Sequence, residues 1–306
     1  MEYSVVIVIS GGVGDQIEGL KCAHHIPKTK KVKILSCSRN EVFAPLKHLF
    51  GNQFEIEQIP ESYAENYRLL FDQSLMKTLK GDADEIYFSC PDTLYSGPYA
   101  FNYKKYDVSL PVLKSTRLLL NKYEPQHEIY LGLMSTTPGY LYKEIVYLAK
   151  RLADNLPEYL IHLPILPKWA NQDICIPDVP VENPPANLIC YYDPDFIEQL
   201  ELQRRCCYGI YTDNGCSHTS FHFGQPRIVL DPRFEKSMWI SRWKENPGDC
   251  IDINTSVIDI IRLVVTNLKI PQTQLLPHKY VLDIIRRDAM LRQETNWGYE
   301  LGIKFS

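Results

Sequence analysis

The sequence predicts an α/β protein organised around two parallel sheets, and three observations carry that expectation. Tyr3 to Ile9 is a continuous, largely β-branched run, the pattern of a strand buried on both faces. It stops at the glycine cluster Gly11, Gly12 and Gly14, and helical spacing sets in from Ile17 to Ala23. Strand and helix patterns then alternate, and the alternation begins afresh at Glu128. Further on, Tyr208 to Asp231 reads as strand, tight turn, short helix, reverse turn and strand. At 306 residues and 45% hydrophobic content, the chain supports two cores of ordinary domain size more readily than one.

In chain order, Lys31 to Ser36 is a second strand, and Asn40 to Phe50 a helix with Val42, Phe43, Leu46, Leu49 and Phe50 on one face. Phe54 to Ile59 is a third strand, Tyr67 to Lys80 one amphipathic helix, and Glu85 to Ser89 a fourth strand. Asp92 to Tyr106, rich in Tyr, Pro, Gly and Asn, reads as a long loop at the sheet's edge. Val108 to Tyr123 reads as helix and Pro125-Gln126-His127 as the linker. The second series opens with a strand from Glu128 to Met134, the loop Ser135 to Tyr140, and a helix from about Leu141 to Asn155. Tyr159 to Leu163 is a strand, Pro164 to Pro185 a proline-rich loop, Leu188 to Tyr192 a strand, and Pro194 to Gln203 a helix. After Asp231, an irregular segment carries Trp239 and Trp243. Ser256 to Leu268 is an apolar helix, and Tyr280 to Gln293 a last amphipathic one.

Composition narrows the function. A formal charge of -4 with dispersed Lys and Arg offers no basic stripe for a nucleic-acid backbone. Nine scattered cysteines, only Cys206 and Cys207 adjacent, make neither a disulfide framework nor a zinc pattern and read as reduced thiols of a cytoplasmic protein. No apolar run is long enough to span a membrane, and the first ten residues lack the features of a signal peptide. Oligomeric state is not legible.

Two glycine turns carry the chemistry. Each ends a strand and opens a helix, and so aims backbone N–H groups and the positive end of a helix dipole at whatever lies above the sheet, which suits a phosphate. The first is Gly11-Gly12-Val13-Gly14-Asp15-Gln16. It is neither the dinucleotide fingerprint, which from Gly12 would need glycine at Ile17, nor a Walker loop. The second is Asp213-Asn214-Gly215, followed by Cys216, Ser217, His218 and Thr219, then Gly224-Gln225-Pro226 and the strand Arg227 to Leu230.

These residues resemble motifs of the heptosyltransferase-like glycosyltransferases. In that family an Asp-x-Gly-x-x-His turn, here Asp213, Gly215 and His218, precedes a short helix, a Gly-x-Pro turn and an apolar strand, and a Gly-x-Gly-Asp loop, here Gly12 to Asp15, opens the chain. The first loop is also loosely similar to that of fucosyltransferase-type enzymes. The resemblance implies two Rossmann-like domains facing each other across a cleft (GT-B type). Residues 1–125 would form the acceptor side, residues 128–280 would bind the nucleotide sugar, and residues 281–306 would cross back to the first domain. It implies Asp15 as the general base taking the acceptor's proton, with Gln16 on the acceptor side. Gly12, Gly14, Asp213, Asn214, Gly215, Cys216, Ser217, His218 and Thr219 would lie at the donor and its diphosphate, with Lys143 adding a cation.

Each of these has a plainer reading. Asp15 can cap the helix it precedes, His218 can pack as a core histidine, and Lys143 can be simply solvated. Asp193-Pro194-Asp195 has the spacing of a metal-binding pair but opens a helix, where capping is the expected job. The function expected is metal-independent transfer of a sugar from a nucleoside-diphosphate sugar to a hydroxyl of a glycan or glycolipid, with no cofactor. A nucleotide-sugar hydrolase or epimerase, or a non-catalytic sugar-nucleotide or glycan-binding module, would use the same scaffold.

Overall fold

The computed structural model describes residues 3–20, 22–23, 26–90, 99–102, 126–134, 142–166, 181–212, 214–231 and 250–269. Asp213, the loop Ser135 to Tyr140, the Trp239 and Trp243 segment, and the helices expected at 108–123 and 280–293 lie outside them. The chain forms two compact units with the main division between Lys122 and Tyr123.

The first unit runs β1 (Val5–Ser10), α1 (Val13–Leu20), β2 (Val32–Cys37), α2 (Asn40–Phe50), β3 (Glu55–Ile59), α3 (Arg68–Phe71), α4 (Gln73–Lys80), β4 (Glu85–Cys90) and β5 (Ala100–Asn102). Its sheet is parallel, in the order β3-β2-β1-β4-β5. The apolar run of the sequence is central because only a strand covered on both faces has use for five consecutive buried residues, Val5 to Ile9. Leu69, Leu70, Leu75 and Met76 of α3 and α4 pack with Val6, Val8 and Phe88.

The second unit runs β6 (Gln126–Gly132), α5 (Tyr142–Asn155), β7 (Leu160–Ile165), β8 (Leu188–Tyr192), α6 (Phe196–Arg205), β9 (Cys206–Thr212), α7 (Gly215–Phe223), β10 (Arg227–Asp231), β11 (Cys250–Asp252) and α8 (Val257–Asn267). The order β11-β10-β9-β6-β7-β8, all parallel, repeats the arrangement of a Rossmann sheet with its sixth strand added. Side chains alternate across the strands, and the two faces differ in chemistry. Ile129, Leu131, Ile161, Leu163, Ile210, Ile228 and Leu230 join one core with Ile145, Leu148 and Leu152 of α5 and Ile260, Ile261 and Val264 of α8. Glu128, Tyr130, His162 and Tyr211, at alternate positions on the same strands, are as deeply buried.

Four local expectations change. The helix expected from Tyr67 to Lys80 is broken at Asp72, whose carboxylate accepts the Leu75 N–H at 2.9 Å and starts α4 anew. Held by that N–H and by Arg68, its carboxyl stays below the usual range. Within the expected edge loop, Ala100 to Asn102 pair with β4. Gln126 and His127, read as linker, begin β6, and the three-residue β11 went unread. Asp195 does cap α6, in a capping box with Glu198.

Candidate functional site

In the first sheet the chain leaves β1 for β2 on one side while β4 lies on the other, so the loop after β1 opens where the strand order reverses. The carboxyl edge at such a point is where α/β sheets bind ligands. Gly11 holds φ at +93°, and a Cβ there would stand 2.9 Å from Asp15 Cβ and Oδ2, so only glycine fits both the turn and its neighbour. Asp15, the third residue of α1, accepts the Gly12 N–H on Oδ2 at 3.3 Å, the reach-back half of a capping box. Asp15 therefore does not precede the helix, as the sequence suggested, but lies inside its first turn and caps it by reaching back, at the carboxyl end of β1.

Gln16, expected on the acceptor side, is fully buried and holds the loop from within. Its amide nitrogen donates to Gly11 O at 3.0 Å, and its oxygen accepts from the Ser36 hydroxyl at 2.6 Å. The chain of bonds continues through Ser38 to Gln58 Nε2, along the ends of β2 and β3. Gly12 is exposed and Gly14 buried.

In the second sheet the order reverses between β6 and β9, and the connection from β9 into α7 stands at that point. Asn214 is the residue before the helix. Its oxygen accepts the Ser217 N–H at 3.1 Å, while the Ser217 hydroxyl donates to Asn214 O at 2.7 Å. The Asn214 amide nitrogen lies 2.6 Å from Gly132 O, 3.0 Å from Met134 O and 3.3 Å from Thr212 Oγ1. Gly215 is half-buried at the first helical position.

Cys216, Ser217 and Thr219, expected around the diphosphate, have buried side chains bonded inside the unit. Cys216 Sγ is 3.5 Å from the Tyr130 hydroxyl, and burial pushes its thiol up to about 12. The Thr219 hydroxyl, with one hydrogen to donate, lies 2.7 Å from Gln203 Oε1 and 2.9 Å from Cys216 O. Any phosphate contact of theirs falls to the backbone. His218 is 4% exposed, and Lys143 is exposed in the first turn of α5.

A polar layer next to α7 escaped the sequence reading. Gln203, fully buried, donates to Cys216 O at 2.6 Å and to the Tyr211 hydroxyl at 2.8 Å. Tyr211 bonds Gln225, which donates to the carbonyls of Gln203 and Cys206. The available signal was Gln199 and Gln203, four residues apart on one helix and both buried.

Among the described residues, Glu128, His162 and Cys206 have ligand atoms within 4.8 Å of one another, all buried, the spacing of a potential metal group. They stand toward the amino ends of β6, β7 and β9, the edge opposite Asn214. Glu128 already meets Arg205 Nη2 at 3.1 Å and 3.3 Å. Its Oε2 is 2.9 Å from His162 Nε2, although no hydrogen-bond geometry is met there, and Cys206 Sγ donates to Leu202 O. Arg205 balances the carboxylate, so the group is accounted for as an ion pair. Cys22, Cys37, Cys190, Cys206, Cys207, Cys216 and Cys250 are free thiols, and no described helix is long and apolar enough to cross a membrane.

Each unit is thus a parallel Rossmann-like sheet with a helix start at its point of reversal. Among solved structures the chain is similar to a family 9 glycosyl transferase from Veillonella parvula DSM 2008, at 12% identity and a TM-score of 0.51, covering 88% of this chain and 98% of that one. It also matches the E. coli ADP-heptose LPS heptosyltransferase II, at 12% identity and 0.49 over 88% and 99% of the two chains. The E. coli heptosyltransferase WaaC with ADP matches at 14% and 0.45 over 74% and 86%. At these identities the likeness is one of fold, and the Veillonella structure carries it. No family model matches the sequence, and no curated protein does.

Proposed function

We propose that this chain is a glycosyltransferase that moves a sugar from a nucleoside-diphosphate sugar to a hydroxyl of a glycan or glycolipid, without a metal ion. The observation that carries the reading is the second point of reversal, where a glycine-led, firmly capped helix start stands at the carboxyl edge between β6 and β9. The first N–H groups of such a helix, at Gly215 and Cys216, have no acceptor within the helix and suit a diphosphate, with the dipole behind them. Lys143 supplies a further positive charge. As the acceptor oxygen bonds the anomeric carbon, Asp15 takes its proton, and the bond from that carbon to the diphosphate oxygen breaks, leaving its electrons on the departing nucleotide. Asp213 stays in the donor turn on its motif alone. His218 is left out of the ligand contacts because it is buried.

The test is a panel of nucleotide sugars, each incubated with and without candidate acceptors and with and without EDTA. Slow nucleotide release that acceptor accelerates and EDTA leaves within about two-fold is expected of N–H and side-chain donors preorganised around the charge. Fast release without acceptor indicates a hydrolase or epimerase, binding without turnover a non-catalytic module. Strict dependence on manganese or magnesium would remove the metal-free clamp.

A further inference from the structure

We propose that Asn214 is a positioning residue that latches the start of α7 to the end of β6, fixing both sides of the second point of reversal in one register, and that its side chain is not itself a phosphate ligand. The inference rests on the donor-site reading above and adds a mechanism to it.

The donor inventory supports this. A carboxamide has two N–H hydrogens, and those of Asn214 face Gly132 O, Met134 O and Thr212 Oγ1 at 2.6, 3.0 and 3.3 Å. A phosphate oxygen needs a donor, and both hydrogens are already directed to acceptors within the unit. The oxygen end is the helix cap, accepting from Ser217 N–H at 3.1 Å. One side chain therefore bonds the last carbonyls of β6 and the first turn of α7 together.

Thr212 completes the set, its hydroxyl donating to Leu133 O at 3.2 Å. Three successive carbonyls at and beyond the end of β6, those of Gly132, Leu133 and Met134, are thus each held by a side chain of Thr212, the last residue of β9, or of Asn214 just before α7. The sheet alone does not require this, because β6 and β9 are already paired up to Gly132 and Tyr211. The latch extends that pairing past the ladder, into the backbone that the fold places beside ligands. A helix start held in advance binds anions without reorganising, and loss of that preorganisation shows as weaker binding.

The test compares Asn214→Ser and Asn214→Asp with the parent. Serine keeps the N-cap and deletes the amide donors. Aspartate keeps size and cap but turns a carboxylate toward carbonyl oxygens. Hydrogen exchange of the ligand-free protein is followed in peptides spanning 132–134 and 214–217, and affinity for ADP, GDP and UDP is measured by calorimetry. Asn214→Ser is expected to melt within a few degrees of the parent, to exchange faster in both peptides, and to bind the parent's preferred diphosphate about 10-fold to 100-fold more weakly. Asn214→Asp should exchange faster still. Unchanged exchange with lost affinity means that Asn214 touches the ligand directly and overturns the latch. Faster exchange with unchanged affinity reduces it to a structural staple and also overturns it. A parent that binds none of the three diphosphates overturns the donor-site reading, and this inference with it, an outcome separate from the other two.

Discussion

Asp15 is the residue on which the proposed chemistry turns, and its carboxylate also has a structural role. It accepts the Gly12 N–H at 3.3 Å as a cap, at the loop where an acceptor hydroxyl would be activated. The dual reading was legible in the sequence, because a glycine loop followed by Asp and helical spacing suits both. Hidden there was the fit to Gly11, whose missing Cβ leaves room for the Asp15 side chain. Asp15→Asn separates the roles, since Asn retains size and most capping ability but no longer accepts a proton at the pH of catalysis. The variant is expected to melt within a few degrees of the parent, to bind donor as well, and to turn over about 10²-fold to 10⁴-fold more slowly with a verified acceptor. Turnover within a few-fold of the parent would leave Asp15 as a cap. Gln16 shows the opposite limit of sequence reading. Its place beside Asp15 made it a contact candidate, whereas its bonds to Gly11 and Ser36 make it part of the wall.

At the scale of elements, the apolar runs located nine of the eleven described strands within two residues, missing the three-residue β5 and β11, and the aromatic content of Ser217 to Phe223 marked a helix whose residues 216–220 and Phe223 are buried. The sequence could not show what the helix rests on, because the members of its polar layer, Gln203, Tyr211 and Gln225, come from three different elements. Tyr211 fits only because glycine occupies two neighbouring strand positions: a Cβ at Gly209 would overlap Cε2, Cζ and Oη of its ring, and one at Gly132 would meet Cδ1. Tyr211 is fully buried, and burial holds its hydroxyl well above the ordinary range, so it stays protonated and can donate to Gln225. Gly209→Ala is therefore expected to cost about 1–3 kcal/mol in chemical denaturation, as an overpacked site does. It should also weaken nucleoside-diphosphate binding, because the ring cannot move without disturbing Gln203 and the Cys216 carbonyl that Gln203 holds. A change under 0.5 kcal/mol would show that the ring has room that the geometry denies it.

For the whole molecule, each unit carries its own sheet and core, and that doubling was legible because the strand pattern restarts after the first series. The chemical difference between the two faces of the second sheet was not, since Glu128, His162 and Cys206 are far apart in the chain and only strand pairing collects them. That difference predicts a pH response confined to one unit. Burial lowers the His162 pKa from its ordinary 6.5, against the opposing pull of Glu128 and with Arg205 adding to the lowering. The unfolded chain thus binds the proton more readily than the folded one. The stability contributed by neutral His162 is fully present above about pH 6.5 and is lost as pH falls through the lowered folded value, with a slope of at most about 1.4 kcal/mol per pH unit for one proton. Hydrogen exchange corrected for its intrinsic pH dependence should therefore accelerate in peptides of β6 and β7 between pH 7 and pH 5 more than in peptides of β1 and β2. His162→Gln, which cannot gain the charge, should reduce the excess. If Glu128 instead holds His162 protonated in the folded state, the sign reverses and acid protects β6 and β7, so the direction of the change alone decides which neighbour governs the site.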